Sequence, residues 1–533
     1  MRGCSILLII TLLAAGSAAA QTAPEAYSFY TILGQDTISI EQVIRTIDRV
    51  DVDLLDRQRG VREVFTLDLT AEGKVRHVAT RSFRHLEDAE PTFIVSATFR
   101  GDSVDVDISG AATRTLTVGT LPGALPWIVP SNTLLEQALL GSKRVTGTID
   151  SIPFFMIANG QSTTATIEWE EDGTATIRFA EATLHAEFSE DGSLTGGFAE
   201  GGQPRVVREN AFNRSPIKPL DYGPPEGAPY GAEEVTVRTP AGLDLSGTLT
   251  LPGRPHGRAP AVVTITGSGQ QDRDERISGL GGYRPYWELA DTLGRIGIAT
   301  LRLDDRGVND SDTGPAEATF VDYADDVRAA LDFLKSRPEV DGRRLALVGH
   351  SQGGLIAPLV AADDPTLLGI VLMAAPGYVG SRVLEAQRWA DLHPRYVQEH
   401  EREGVVERSR RADSARAERD PNLRFLLHYD PIPTARKVRV PVLILQGETD
   451  VQVTPEQADT LALAIRSAGN TDVTVHHFAD LNHFFLHDPE GWSAGYGSLP
   501  SKEVSKDVLG AIADWLMEHL NVVSGKGPQA KRS

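Results

Sequence analysis

The stretch Leu345-Ala-Leu-Val-Gly-His-Ser-Gln-Gly-Gly354 constrains the rest of the chain more than any other. An apolar run enters Gly349-His-Ser-Gln-Gly353, a Gly-x-Ser-x-Gly pattern. In such a pattern a buried strand stops, the chain turns sharply and a helix begins, with the serine strained at the tip. Glycine on both sides lets strand and helix approach with no Cβ between them. The alternative for Ser351 is an ordinary helix N-cap after a strand. The surrounding periodicity decides between the two.

That periodicity is an alternation of strands and helices. Val235–Arg238 and Leu245–Leu251 read as an opening hairpin, and Ala261–Thr266 is apolar at nearly every position, as a strand covered on both faces must be. Helices are predicted over 286–295 and 320–335, leading to strands at Ala299–Leu303 and Leu345–Val348. The helix after Ser351 leads to Ile370–Met373. Beyond it come Val442–Leu445, a helix over 455–467, Val473–Phe478 and a last helix over 502–519. Alternation of this kind gives a mostly parallel sheet with helices on both faces. Ligands bind beyond the carboxyl ends of its strands, where Ser351 falls. An insertion at about 378–437, rich in Arg and Glu, has a helical composition and is a candidate lid beside the site.

The first part of the chain has a different period. Phe65–Leu69, Phe93–Phe99, Val104–Ile108, Ala165–Trp169 and Thr174–Phe179 alternate apolar with polar residues, the mark of half-buried antiparallel strands. Turn signals stand at Gly101-Asp102, Asp172-Gly173 and Asp191-Gly192. A helix is predicted from Asn132 to Leu140 with Ser131 as its N-cap. The expectation is a curved antiparallel sheet or partial barrel with that helix covering or plugging it. His77, His85 and His185 are scattered and read as surface or strand residues, not metal ligands. The predicted order is a signal at 1–20, a β-rich domain at 21–208, a Pro/Gly-rich linker at 209–232, a catalytic domain at 233–521 and a disordered tail at 522–533.

Residues 1–20 carry a positive start at Arg2, a short apolar core and Ala18-Ala19-Ala20 before Gln21, a secretory signal with its cleavage site. Export to the periplasm or medium is expected, with no integral membrane segment after cleavage. Cys4 is the single cysteine and is removed with the signal, so the mature chain has no disulfide or thiolate chemistry. The net charge of -21 argues against a nucleic-acid partner, because phosphate binding needs a basic surface.

A serine hydroxyl needs a base to act as a nucleophile at neutral pH, and the base needs an acid to orient it. Asp450 follows the strand at Val442–Leu445, and His483 follows the strand at Val473–Phe478, giving the order Ser, Asp, His. Glu448, His476, His477 and His487 are weaker candidates. Two N–H groups would receive a developing oxyanion: Gln352, at the helix start, and Ser268, in the turn after Ala261–Thr266. Asp272, Arg273, Asp274, Asp304, Asp305 and Arg306 read as loop braces. No cofactor or metal is called for.

Five segments carry a resemblance: Gly267-Ser-Gly-Gln-Gln-Asp-Arg-Asp274, Leu303-Asp-Asp-Arg-Gly-Val308, Gly349-His-Ser-Gln-Gly-Gly354, Tyr429-Asp-Pro431 and Gly447-Glu-Thr-Asp-Val-Gln-Val453. Over about 233–520 the chain resembles the α/β-hydrolase superfamily, and within it secreted bacterial serine esterases near the dienelactone-hydrolase and serine-aminopeptidase-like groups. Gln270 stands where such relatives carry proline, which predicts a less rigid loop, and Asn309 stands where they carry glycine. The resemblance implies hydrolysis of a carboxylic ester through an acyl-enzyme, with a peptidase or thioesterase on the same three residues as the alternative. A non-catalytic binding protein on this fold is the remaining class. The β-rich part resembles no family.

Overall fold

The computed structural model describes residues 24–522 apart from 34–35, 57–60, 84–87, 89, 110–112, 129–130, 142–147, 158–159, 172–173, 180–181, 191, 200–203, 212–220, 254–256, 278–279, 316, 392–398 and 419. The signal with Cys4, His85, the Asp172-Gly173 turn and 523–533 lie outside the described residues. Two compact units form, one from residues up to 31 with 39–200 and 206–216, the other from 32–38, 201–205 and 217 onward.

The first unit is one sheet around one helix. Its strands are β1 (Glu25–Leu33), β2 (Asp36–Arg45), β3 (Arg49–Asp56), β4 (Val61–Leu69) and β5 (Val75–Phe83). They continue as β6 (Phe93–Phe99), β7 (Ser103–Ser109), β8 (Arg114–Gly119), β9 (Leu125–Trp127) and β10 (Ile149–Met156). The last are β11 (Gln161–Trp169), β12 (Thr174–Phe179), β13 (Ala182–Phe188), β14 (Leu194–Ala199) and β15 (Arg205–Glu209). All fifteen join in the order β8-β7-β6-β5-β4-β3-β2-β1-β15-β14-β13-β12-β11-β10-β9. A sheet this wide curls instead of staying flat. Val50, Val52 and Leu54 on β3 and Phe65, Leu67 and Leu69 on β4 alternate inward to one core.

Helix α1 (Asn132–Gly141) supplies Leu134, Ala138 and Leu139 to that core. β9 and β10 pair in parallel, which a hairpin cannot achieve, and α1 is the crossover between them. Ser131 Oγ accepts the Leu134 N–H, as an N-cap should. The stronger cap is Glu41 on β2, which was not legible in the sequence. Its buried carboxylate accepts from Ser131 Oγ, Thr133 Oγ1 and the N–H groups of Asn132 and Thr133. His77, on β5, bonds Asp68 and Ser96, and the His185 ring, on β13, lies tilted against that of Phe198, so both are strand residues.

In the second unit the strands are β16 (Tyr230–Arg238), β17 (Asp244–Pro252), β18 (Ala259–Ile265), β19 (Ala299–Leu303), β20 (Val340–His350), β21 (Gly369–Met373), β22 (Val442–Gly447) and β23 (Val473–Phe478). They lie in the order β16-β17-β19-β18-β20-β21-β22-β23. β16 and β17 are antiparallel to their neighbours, and β18 through β23 are parallel. Helices α2 (Pro285–Arg295), α3 (Phe320–Ser336), α4 (Gly353–Asp363), α9 (Glu456–Ser467) and α10 (Lys506–His519) cover the sheet, filling a separate core on each face. The insertion folds as α5 (Gly380–Asp391), α6 (Glu399–Ala417), α7 (Pro421–His428) and α8 (Ile432–Ala435).

β15, at Arg205–Glu209, is the last strand of the first sheet in chain order. Two expectations change. Within the supposed linker, Tyr222 and Gly223 are docked: their carbonyls accept from Arg302 and Trp287, and Tyr222 OH donates to Asp272. The last helix begins at Lys506, not 502. Lys502 Nζ instead donates to the carbonyls of Tyr496, Gly497 and Leu499, closing a 3-10 turn at Ser493–Ser498. Among the described residues no helix is long and apolar enough to cross a membrane.

Candidate active site

β20 ends at His350, α4 starts at Gly353, and Ser351 between them has φ +51. That left-handed conformation costs a non-glycine residue and persists only where the surroundings enforce it. They do so by close approach. A Cβ on Gly349 would lie 2.3 Å from the Gly353 carbonyl oxygen, and one on Gly353 would lie 2.1 Å from that of Ile265. The Ser351 N–H donates to the Met373 carbonyl at the end of β21 (2.9 Å), locking the turn to the neighbouring strand. Ser351 is thus presented at the carboxyl end of the central strand and is not a mere helix cap.

Asp450 and His483 come from the ends of β22 and β23. After β22 the chain turns through Asp450, whose Oδ1 accepts from the N–H groups of Gln452 (2.9 Å) and Val453 (2.8 Å). Its Oδ2 accepts from Gln446 Nε2 (3.0 Å) and lies 2.8 Å from His483 Nδ1. His483 Nε2 lies 3.1 Å from Ser351 Oγ. Serine, histidine and aspartate are all buried, at 7%, 3% and 2% exposure, so water competes little for these bonds. Gly447 permits the approach, since a Cβ there would sit 2.1 Å from the Leu481 carbonyl oxygen. Asn482 shapes the histidine loop by accepting from the N–H groups of Phe484 and Leu486, a role sequence reasoning missed. Glu448 is exposed, His477 pairs with Asp459, His476 stacks on Phe478 and His487 forms an isolated bridge with Leu481; none reaches Ser351.

The turn after β18 passes against the serine: a Cβ on Gly267 would lie 3.5 Å from Ser351 Cβ. The Gly267 N–H is engaged by Glu275 Oε1 (2.7 Å), whereas the Ser268 and Gln352 N–H groups have no partner among the described residues. Gln270 Nε2 donates to the Arg306 carbonyl (2.9 Å), a tie across to the loop after β19 that a proline side chain could not make. Asn309 takes φ +46, a conformation asparagine tolerates, and donates to Tyr222 OH (3.0 Å).

The predicted braces pair. Arg273 binds Asp304, Arg284 and Arg302 both bind Asp274, and Arg306 binds Asp326. Asp305 accepts from the Gln271 N–H and Thr266 Oγ1, and burial pushes its carboxyl up to about 7. Burial, with the charge of Asp274, pushes Asp272 up to about 6. A cavity of about 420 Å³ borders Gly267, Gly269 and Gln352 and is walled by Ile265, Ala318 and Ile356. Among the described residues no His, Cys, Asp and Glu side chains gather as a metal site.

Residues 279–490 match the model of the serine aminopeptidase S33 family. Esterase EstD of Thermotoga maritima is 27% identical over 310 residues, covering 56% of this chain and 70% of that protein. The uncharacterized peptidase YuxL of Bacillus subtilis is 23% identical over 297 residues, covering 54% of this chain and 39% of that protein. The solved Pyrococcus furiosus esterase Pf2001 is 14% identical, with a TM-score of 0.40 over 57% of this chain and 95% of that one. By its sheet order, its serine turn and its family match, this chain is a member of the α/β-hydrolase superfamily.

Proposed function

We propose that this hydrolase is an exported serine carboxylesterase. The observation that carries the reading is the bonded series Ser351–His483–Asp450, built from three separate strand ends on a strained turn. In the proposed reaction Ser351 Oγ attacks the ester carbonyl while His483 Nε2 takes its proton. Asp450 holds Nδ1–H and stabilises the imidazolium, and the Ser268 and Gln352 N–H groups receive the oxyanion. The alkoxide leaves with the proton from His483. Water, deprotonated by the same histidine, then cleaves the acyl-serine and releases the acid. The cavity beside Gln352 accommodates the acyl chain, its volume lying within the range of small-molecule sites.

The first test is hydrolysis of acetyl and butyryl esters by the wild type and by Ser351→Ala. Loss of at least about 10⁴-fold is expected, and activity that survives would place the nucleophile elsewhere. A peptidase is the second reading, favoured by the family match. Esters, aminoacyl amides and acyl thioesters assayed side by side separate the two, and turnover of amides alone would overturn the esterase.

Two further parts of the proposal concern the flanks. Helices α5 to α7 act as a lid over Ser351. Acylating Ser351 with a phosphonate should slow tryptic cleavage in the arginine-rich α6, and an unchanged cutting rate would argue against a lid. Residues 1–20 are removed on export, so N-terminal sequencing of protein made in a bacterial host should begin at Gln21; an intact Met1 would refute it.

A further inference from the structure

Glu275 and His350 form a buried pair that the proposed steps leave idle. Glu275, which directly follows the Gly267–Asp274 segment, is 1% exposed and strained at φ +58. Its Oε1 accepts the Gly267 N–H and lies 2.7 Å from His350 Nδ1. His350 Nε2 lies 3.0 Å from the carbonyl oxygen of His483. A carbonyl oxygen can only accept, so Nε2 carries a proton. Oε1 already accepts one N–H and is an acceptor toward Nδ1 as well. Both ring nitrogens therefore face acceptors, a setting that the doubly protonated imidazolium satisfies.

The groups around His350 agree. Tyr286 OH, on α2, accepts the His350 N–H, while the His483 ring centre stands 4.9 Å away on the loop after β23. Asp450, on the loop after β22, adds favourable field, and Phe484 and Phe485 close the remaining sides. Burial opposes charge on His350, and the Glu275 carboxylate, the His483 carbonyl and Asp450 together outweigh it, so the ring keeps its proton above the usual histidine range.

We propose that the Glu275–His350 ion pair is a clamp that sets three active-site segments in register. Glu275 fixes the turn that carries Ser268, His350 directly precedes Ser351, and Nε2 holds the backbone of His483. Both are positioning residues, since neither touches the reacting atoms. The inference rests on the reading of Ser351 and His483 as nucleophile and base. It also gives the clamp a pH range: it holds while His350 is charged and opens as pH rises through the elevated histidine pKa.

Two substitutions divide the clamp. Asparagine places a nitrogen near Nδ1, and glutamine places one near Nε2. His350→Asn, His350→Gln and Glu275→Gln are each expected to lower kcat about 10- to 100-fold with KM within about twofold, the cost of a small misplacement. His350→Gln should retain more kcat than His350→Ala, because it keeps a donor for the His483 carbonyl. The alkaline fall in wild-type kcat should vanish from all three His350 variants, since the titrating group is gone. Wild-type kcat in the variants would overturn the clamp, and so would a lowered kcat with the alkaline fall unchanged. Ring-nitrogen NMR of ¹⁵N-histidine-labelled wild type at pH 8 gives a check that needs neither a folded variant nor turnover. One buried, doubly protonated histidine with slowly exchanging ring protons is expected, and its absence overturns the clamp. Ester turnover without that signal sinks the clamp alone, and the signal without turnover sinks the esterase reading alone.

Discussion

At the scale of residues, the geometry of the site is enforced by atoms that are missing. Gly353 has no room for a methyl group against the Ile265 carbonyl, so Gly353→Ala should destabilise the protein by about 3 kcal/mol, seen as a lower urea midpoint. Asp450→Asn keeps the shape but presents an amide to His483 Nδ1. A fall in kcat of about 10⁴-fold is expected with unchanged thermal unfolding, and a fall of under tenfold would remove Asp450 from the mechanism. Ser351, Asp450 and His483 were legible because each follows a strand in a fixed order. Gln446, Asn482 and Glu275 were not, since each acts on an amide or side chain that no local pattern marks. The tie that Gln270 makes was not legible for the same reason, because its partner is a carbonyl 36 residues away.

At the scale of elements, hydrophobic period fixed element type better than element ends. β20 begins at Val340, ahead of its apolar run, because pairing with β18 extends it through Val340. Helix α1 shows what the sequence conceals. It is held by Glu41 at its start and by Glu136, which accepts from Tyr27, Arg45, Arg208 and the Leu194 N–H. Burial raises the Glu41 carboxyl above the usual range although four donors oppose the shift. Glu41→Ala would strand those donors and should cost about 3–5 kcal/mol, measured by denaturant unfolding. A loss below about 1 kcal/mol would mean that water replaces the carboxylate. At the cavity wall, Ala318→Phe should depress kcat/KM for butyryl esters about tenfold more than for acetyl esters. Equal losses would remove the cavity from acyl binding.

At the scale of the whole molecule, charge and burial act together. Asp272, Glu288 and Asp305 are raised to about 6, 7 and 7 by burial in a chain of net charge -21. Between about pH 4 and 7 the folded form keeps protons that the unfolded chain has released, so stability falls as pH rises through that window. His350 acts in the same direction, because the stability from its raised pKa is lost on the alkaline side. The Tm should be lower at pH 8 than at pH 5.5, and Asp305→Asn should flatten the difference; a Tm that rises with pH would contradict the assignment. The sheet of the first unit carries a consequence for synthesis. Read from β9, its strands run β9 to β15 and then β1 to β8, chain order broken once, between β15 and β1. The first eight strands can pair as they leave the ribosome, but β1 keeps a bare edge until β15, beginning at Arg205, arrives to cover it. A nascent chain halted before Arg205 therefore displays an open strand to its neighbours and is expected to aggregate, while one released after Glu209 has sealed it.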